Sequence, residues 1–252
     1  MSAERELVES KIEQNRIVLI DKPPHWTSFD AVAKLRTPLK KLFGKKFKIG
    51  HAGTLDPLAT GLLIICTGKK TKEIELYQAQ TKVYSGTITL GKTTPSYDLE
   101  TGFDSESAFE HITPDEIFAA AEKLTGEIEQ VPPVFSAVKI DGKAAYLSAR
   151  KGKDVEIKSK IVNVYRFEIQ EINLPELKFW IECSKGTYIR SIANDIGKIL
   201  GCGAYLSSLR REKIGDFSVE NAVSPEIWIK NFSDEISSLG IVLQNQSSNN
   251  GG

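Results

Sequence analysis

Apolar residues in this chain come in strand-length pieces, and that limits the folds open to it. No uninterrupted run exceeds about five residues, far short of a bilayer span, and Leu62 to Cys66 suits a buried strand closed by Gly68. Val83 to Leu90 alternates, with Tyr84, Gly86, Ile88 and Leu90 on one face, the period of a half-buried strand. Arg16–Ile20, Val134–Ile140, much of Val155–Ile172 and Lys178–Cys183 read as strands too, and Asp141-Gly142 is a turn signal. Helices are fewer. Ser28 is the expected cap of one running through Leu35, which Pro38 should end or kink near Arg36. Lys69–Gln80 is expected to be helical. Thr113-Pro114-Asp115-Glu116 combines a cap, a first-turn proline and a capping-box acid, so a helix should follow to about Thr125. A last helix is expected from Thr187 to Leu200, with Gly201 just past its end. Strands joined by short turns favour an α+β fold with a mixed, largely antiparallel central sheet flanked by helices over a doubly wound parallel sheet. With 252 residues, 40% of them hydrophobic, the chain can bury a substantial core. The polar stretch Gln244–Gly252 is expected to be disordered.

Several function classes drop out. The N-terminus carries Glu4, Glu6, Glu9 and Glu13, which fits neither a signal nor a transit peptide. Cys66, Cys183 and Cys202 make no zinc or redox spacing, which points to reduced thiols in a cytoplasmic protein. His25, His51 and His111 are scattered, so no metal site is expected. Thr67-Gly68-Lys69-Lys70-Thr71 lacks the leading glycine of a phosphate loop, where Leu63 stands instead. Gly201-Cys202-Gly203 follows a helix, and Leu206 replaces the third glycine of a dinucleotide fingerprint. Net charge is zero, yet its distribution is uneven. Lys34, Arg36, Lys40, Lys41, Lys45, Lys46 and Lys48 share a window without an acid; Lys69, Lys70 and Lys72 follow, and Arg150–Lys160 is basic again. Such windows are either a phosphate-binding face or solvated lysines.

The segment Gly50-His51-Ala52-Gly53-Thr54-Leu55-Asp56-Pro57-Leu58-Ala59-Thr60-Gly61 concentrates glycines, an ionisable pair and a proline. Glycines permit close approach of a ligand to the backbone, and Pro57 restricts Asp56 to extended conformations, fixing its carboxylate. The same residues also suit an ordinary turn in which Asp56 accepts local hydrogen bonds.

From His51 to Leu63 the chain resembles the signature of the TruB family, the bacterial tRNA pseudouridine-55 synthases. The resemblance extends through Asp21-Lys22-Pro23 with Thr27-Ser28, Lys82-Val83-Tyr84 leading to Leu90-Gly91, Gln130 through Gly152, Cys183 through Ser191, and Gly201 through Ala204. It covers roughly residues 16–225, and motifs this long in this order are specific. His25 and Trp26 stand where the family usually has glycine and a small or apolar residue, and Phe135 replaces a frequent tyrosine. The resemblance implies a pseudouridine-synthase fold. It assigns residues 1–15 to an extension, 16–230 to a catalytic domain with a thumb-like insertion at about 130–153, and 231–252 to a tail without the PUA-type domain of longer relatives.

It also implies chemistry. Isomerising uridine oxidises nothing and needs no donated group, so no cofactor and no metal are required. Asp56 is implied as the carboxylate that attacks C1′ or C6, Tyr84 as the ring and C5 proton carrier, and Arg190 as the cation that keeps Asp56 ionised. His51, Asp98, Tyr188 and Lys22 are implied to bind the substrate, His51 by holding the flipped nucleotide open and Asp98 through neighbouring bases. The implied partner is the T-arm stem-loop of tRNA, with no membrane, met by a monomer. Two rivals are a non-catalytic RNA-binding protein and a carboxylate glycosidase. The intact set Asp56, Tyr84 and Arg190 argues against the first, and the lack of an identifiable second carboxylate argues against the other.

Overall fold

A computed structural model describes residues 12–135, 139–140, 143–144 and 157–239. These residues form two compact units. The first comprises the described parts of residues 1–57, 61–78 and 219–252. In it β1 (Ile17–Lys22) runs antiparallel to β3 (Thr60–Thr67), from Ile17 opposite Cys66 to Lys22 opposite Gly61. β2 (Ile49–His51) lines the other side of β3. The helix Ser28–Phe43 presents Val32, Leu35, Leu39 and Phe43 to a core that includes Val18, Ile20, Leu63 and Ile65.

Two expectations about this helix need correction. Its cap is Thr27, whose hydroxyl accepts from Asp30 N at 3.0 Å while the Asp30 carboxylate accepts from Thr27 N at 2.8 Å. Ser28 is engaged elsewhere, with Leu55. Pro38 lies inside the helix, which continues to Phe43. An interior proline costs about 3 kcal/mol. Burial of Leu39, Leu42 and Phe43 beyond it, at roughly 1.5–3 kcal/mol each, outweighs that cost. The helix expected over Lys69–Gln80 is a 3-10 turn, Gly68–Glu73, followed by a short α-helix, Ile74–Ala79. The Thr71 hydroxyl, bonded to the Gly68 carbonyl at 2.8 Å, reinforces the three-residue spacing.

The helix Pro225–Ser238, capped by Ser224, completes this unit. It buries Phe232 and Ile236 in the same core, and Arg16 grips Glu235 with Nη1 and Nη2 of its guanidinium. Residues 231–238, expected in a tail, are thus continuous with this helix.

The second unit comprises the described parts of 58–60 and 79–218. Its strands are β4 (Lys82–Leu90), β5 (Lys92–Thr93), β6 (Ser105–Glu106), β7 (Gly126–Gln130), β8 (Lys139–Ile140), β9 (Lys143–Ala144), β10 (Lys160–Asn173), β11 (Glu176–Cys183), β12 (Ala204–Ile214) and β13 (Phe217–Ser218). The order β12-β4-β11-β10-β7 is antiparallel at each step, so the largely antiparallel α+β architecture read from the sequence is the one observed. β11 shows why: Leu177, Phe179, Ile181 and Cys183 are buried on one face. Helix Pro114–Lys123 has the expected capping box between Thr113 and Glu116. Helix Ile189–Leu200 ends at Gly201, whose φ is +74°. It begins two residues later than expected, because Thr187 bonds back to the Ser184 carbonyl at 3.0 Å. Of the strand expected over Val134–Ile140, Val134 and Phe135 form a bend, Lys139–Ile140 is β8, and 136–138 lie outside the described residues, as do the Asp141-Gly142 turn and most of the thumb-like insertion.

Candidate active site

Asp56 lies in the first unit, in the segment that follows β2. At its start Ala52 N donates to the Ile64 carbonyl at 2.8 Å, and Gly53 turns the chain at φ +98°, a region that favours glycine. Both neighbours of Asp56 are tied down. Leu55 N donates to the Ser28 hydroxyl at 2.8 Å, and that hydroxyl donates to the Leu55 carbonyl at 3.2 Å. The Pro57 carbonyl accepts from His25 N at 2.8 Å and from the Lys22 ammonium at 3.3 Å. His25 reaches it from a φ of +65°, where the sequence departs from a usual glycine. With Pro57 restricting Asp56 as well, the half-buried carboxylate projects from backbone that has little freedom. His51 ends β2 in the same unit.

The second unit holds the remaining residues. Tyr84 is buried on β4, opposite Ile181 of β11 and Arg211 of β12. Lys82, two residues away on the same face, is buried and donates to the Gln80 carbonyl at 2.6 Å. Burial, and next the charge of Arg211, push its ammonium down to about 8. Arg190, in the first turn of helix Ile189–Leu200, is 3% exposed. Its Nη1 donates to the carbonyls of Phe135 at 3.0 Å and Ser96 at 3.2 Å, and its Nε lies 3.7 Å from the Asp98 carboxylate. Tyr188 is held through its backbone by buried Gln130, whose side-chain amide accepts from Tyr188 N at 2.7 Å and donates to Tyr188 O at 3.1 Å. The Lys160 ammonium lies 4.4 Å from the centre of the Tyr188 ring and donates to the Gly186 carbonyl at 2.5 Å.

Residues 40–189 match the family model described as TruB family pseudouridylate synthase, N-terminal domain, and residues 190–227 match the tRNA pseudouridylate synthase B C-terminal domain. The chain belongs to the TruB family of pseudouridylate synthases. It is 52% identical over 215 residues to a tRNA pseudouridine synthase B of Phocaeicola vulgatus, covering 85% of this chain and 92% of that one. It is 54% identical over 212 residues to one of Flavobacterium johnsoniae, covering 83% and 93%. Among solved structures it is similar to a chain in a crystal structure of a Cbf5-Nop10-Gar1 complex, with TM-score 0.67 and 27% identity. That likeness covers 92% of this chain and 60% of the other.

In this TruB-family member two residues expected to bind substrate are held by partners within the protein. Lys22 is fully buried, and its ammonium donates to the carbonyls of Pro23, Trp26 and Pro57. It fixes the backbone next to Asp56. Asp98 is also buried; one carboxylate oxygen accepts from Glu100 N at 2.9 Å and the other faces Arg190. A carboxylate so placed orients the guanidinium. Sequence reasoning passed over Ser28 as a backbone clamp, Gln130, Lys160 and the buried pair Lys82 and Arg211. The available signal was polar residues at strand positions where the alternation calls for an apolar one.

Proposed function

We propose that this protein converts the T-loop uridine of tRNA, at position 55, into pseudouridine, with Asp56 as the nucleophile. The observation that carries the reading is the backbone on both sides of Asp56, clamped by Ser28, Lys22 and His25. A turn with no chemical duty has no need of such fixation, whereas a nucleophile gains from it because orientation is settled before the substrate arrives. The similar proteins named tRNA pseudouridine synthase B support the choice of substrate.

The reaction breaks the N1–C1′ bond and joins C1′ to C5. C5 loses one proton and N1 gains one, so electrons balance without an oxidant. Asp56 forms a transient bond at C1′ or at C6 and is released when the base has turned. A stacked loop uridine must first leave the stack, and an aromatic platform such as Tyr84 offsets about 1–3 kcal/mol of that cost. Arg190 supplies a fixed positive charge, which favours the ionised form of a carboxylate near it. Three free, buried cysteines, Cys66, Cys183 and Cys202, support a reducing cytoplasmic setting.

The test is incubation of an unmodified tRNA transcript with the protein, followed by chemical detection of pseudouridine. The wild type should modify the T-loop uridine, and Asp56→Asn should bind the transcript with similar affinity but show no turnover. Turnover at the wild-type rate in Asp56→Asn would remove Asp56 from the mechanism.

A further inference from the structure

Two lysine-rich windows lie well apart in the sequence, Lys34–Lys48 and Lys69–Lys72. The fold of the first unit joins them. β2 pairs antiparallel with β3, so Ile49 stands opposite Thr67, and Gly68 N donates to the Lys48 carbonyl at 2.9 Å. The junction opens into a cleft of about 850 Å³ lined by Lys46, Lys48, Lys69 and Lys72, with Phe47 in its wall. Among the described residues of that lining, Glu13 is the one acid. A second cleft of about 370 Å³ shares Phe47, Lys48 and Thr71 with the first and adds Arg36, Lys40 and Gly50. The result is a band of positive charge that ends at Gly50, the residue before His51, where the segment carrying Asp56 begins.

All four lysines of the larger cleft are exposed, whereas neighbouring Lys70 is already paired with Glu73 at 2.9 Å. Four like charges around one concavity repel one another, and a polyanion laid along it relieves that repulsion. The residue type narrows the ligand. Lysines act as point charges on flexible stems and suit phosphate oxygens, while reading a base edge calls for planar forks. Arg36, the fork in this band, stacks over the Phe29 ring at 5.1 Å. Two joined clefts also exceed what a single phosphate would occupy.

We propose that this band is a second, sequence-independent RNA contact that holds phosphodiesters flanking the reacting nucleotide. The inference rests on the reading that the substrate is RNA. It goes beyond that reading by placing backbone binding on these lysines, outside the residues assigned to the uridine.

The experiment compares the salt dependence of tRNA binding in three variants and the wild type. The first replaces Lys46, Lys48, Lys69 and Lys72 by Gln. The second makes the same change at Lys123, Lys178, Lys198 and Lys230, which are exposed elsewhere, so the loss of net charge is identical. The third places Arg at the four cleft positions. Each phosphate contact contributes about 0.9 to the slope of log affinity against log salt on a duplex. The cleft Gln variant should lose about 3 units of slope, the control well under 1, and the Arg variant should match the wild type. Equal slopes in the two Gln variants would overturn the proposal, as would an Arg variant that binds like the cleft Gln variant. A thermal melt of each variant separates lost binding from lost folding. If the wild type forms no pseudouridine, the proposed reaction fails, yet the slopes still decide whether the band binds RNA.

Discussion

Charged side chains in this protein behave very differently according to what surrounds them. Lys46 is exposed, while Lys22 and Lys82 are buried. Lys82 offers a direct test. Its ammonium is pushed from 10.5 down to about 8, mainly by burial. Between those values the unfolded chain holds a proton that the folded protein has released. Unfolding then takes up a proton, and stability rises with pH across the window. Below about pH 8 the folded protein carries the full penalty of a buried charge. Lys82→Met should therefore be most stabilising, relative to wild type, at pH 7. That advantage should shrink by about 3 kcal/mol as the pH approaches 10.5. Urea unfolding of both proteins at several pH values measures it, and a difference independent of pH would show that the ammonium keeps its proton throughout.

At the scale of elements, the readable signals were those confined to a few neighbouring residues. Thr113 with Glu116, Gly201 after a helix, and the alternation of β4 needed no knowledge of distant chain. Pro38 misled because a local rule met a long-range gain, the burial of Leu39, Leu42 and Phe43. Gly197 was invisible for the same reason. A Cβ at that position would lie 2.2 Å from Ala204 N, so the helix Ile189–Leu200 meets the first residue of β12 backbone to backbone. Gly197→Ala should cost about 1–3 kcal/mol from overpacking, although alanine is the better helix former. Denaturant titration checks it, and a stabilised variant would show that the helix can shift away from β12. The candidate site divides in the same way. The segment carrying Asp56 was legible because its composition is unusual within one short stretch. The internal partners of Lys22 and Asp98 were not, since a carbonyl cradle or a buried ion pair depends on how the chain folds back on itself.

Over the whole chain, opposite charges cancel to zero while remaining unevenly spread. Among the described residues, no group of three or more His, Cys, Asp or Glu side chains is placed to hold a metal ion. The isomerisation needs no Lewis acid either. Adding a chelator to tRNA kept folded by monovalent salt should leave the rate of pseudouridine formation unchanged. Loss of activity that a divalent ion restores, with the RNA folded throughout, would contradict this. The path of the chain through its two units has another consequence, for the order in which the protein comes into being. The first unit takes residues from both ends, with Ile12 and Val18 packed in one core with Phe232 and Ile236, whereas the second draws mainly on the continuous stretch 79–218. A ribosome adds about 5–20 residues per second. For roughly 10–40 seconds the early strand β1 and the helix after it therefore exist without the helix that will cover them. The second unit has all its residues first, and the unit that carries Asp56 must wait for the helix Pro225–Ser238.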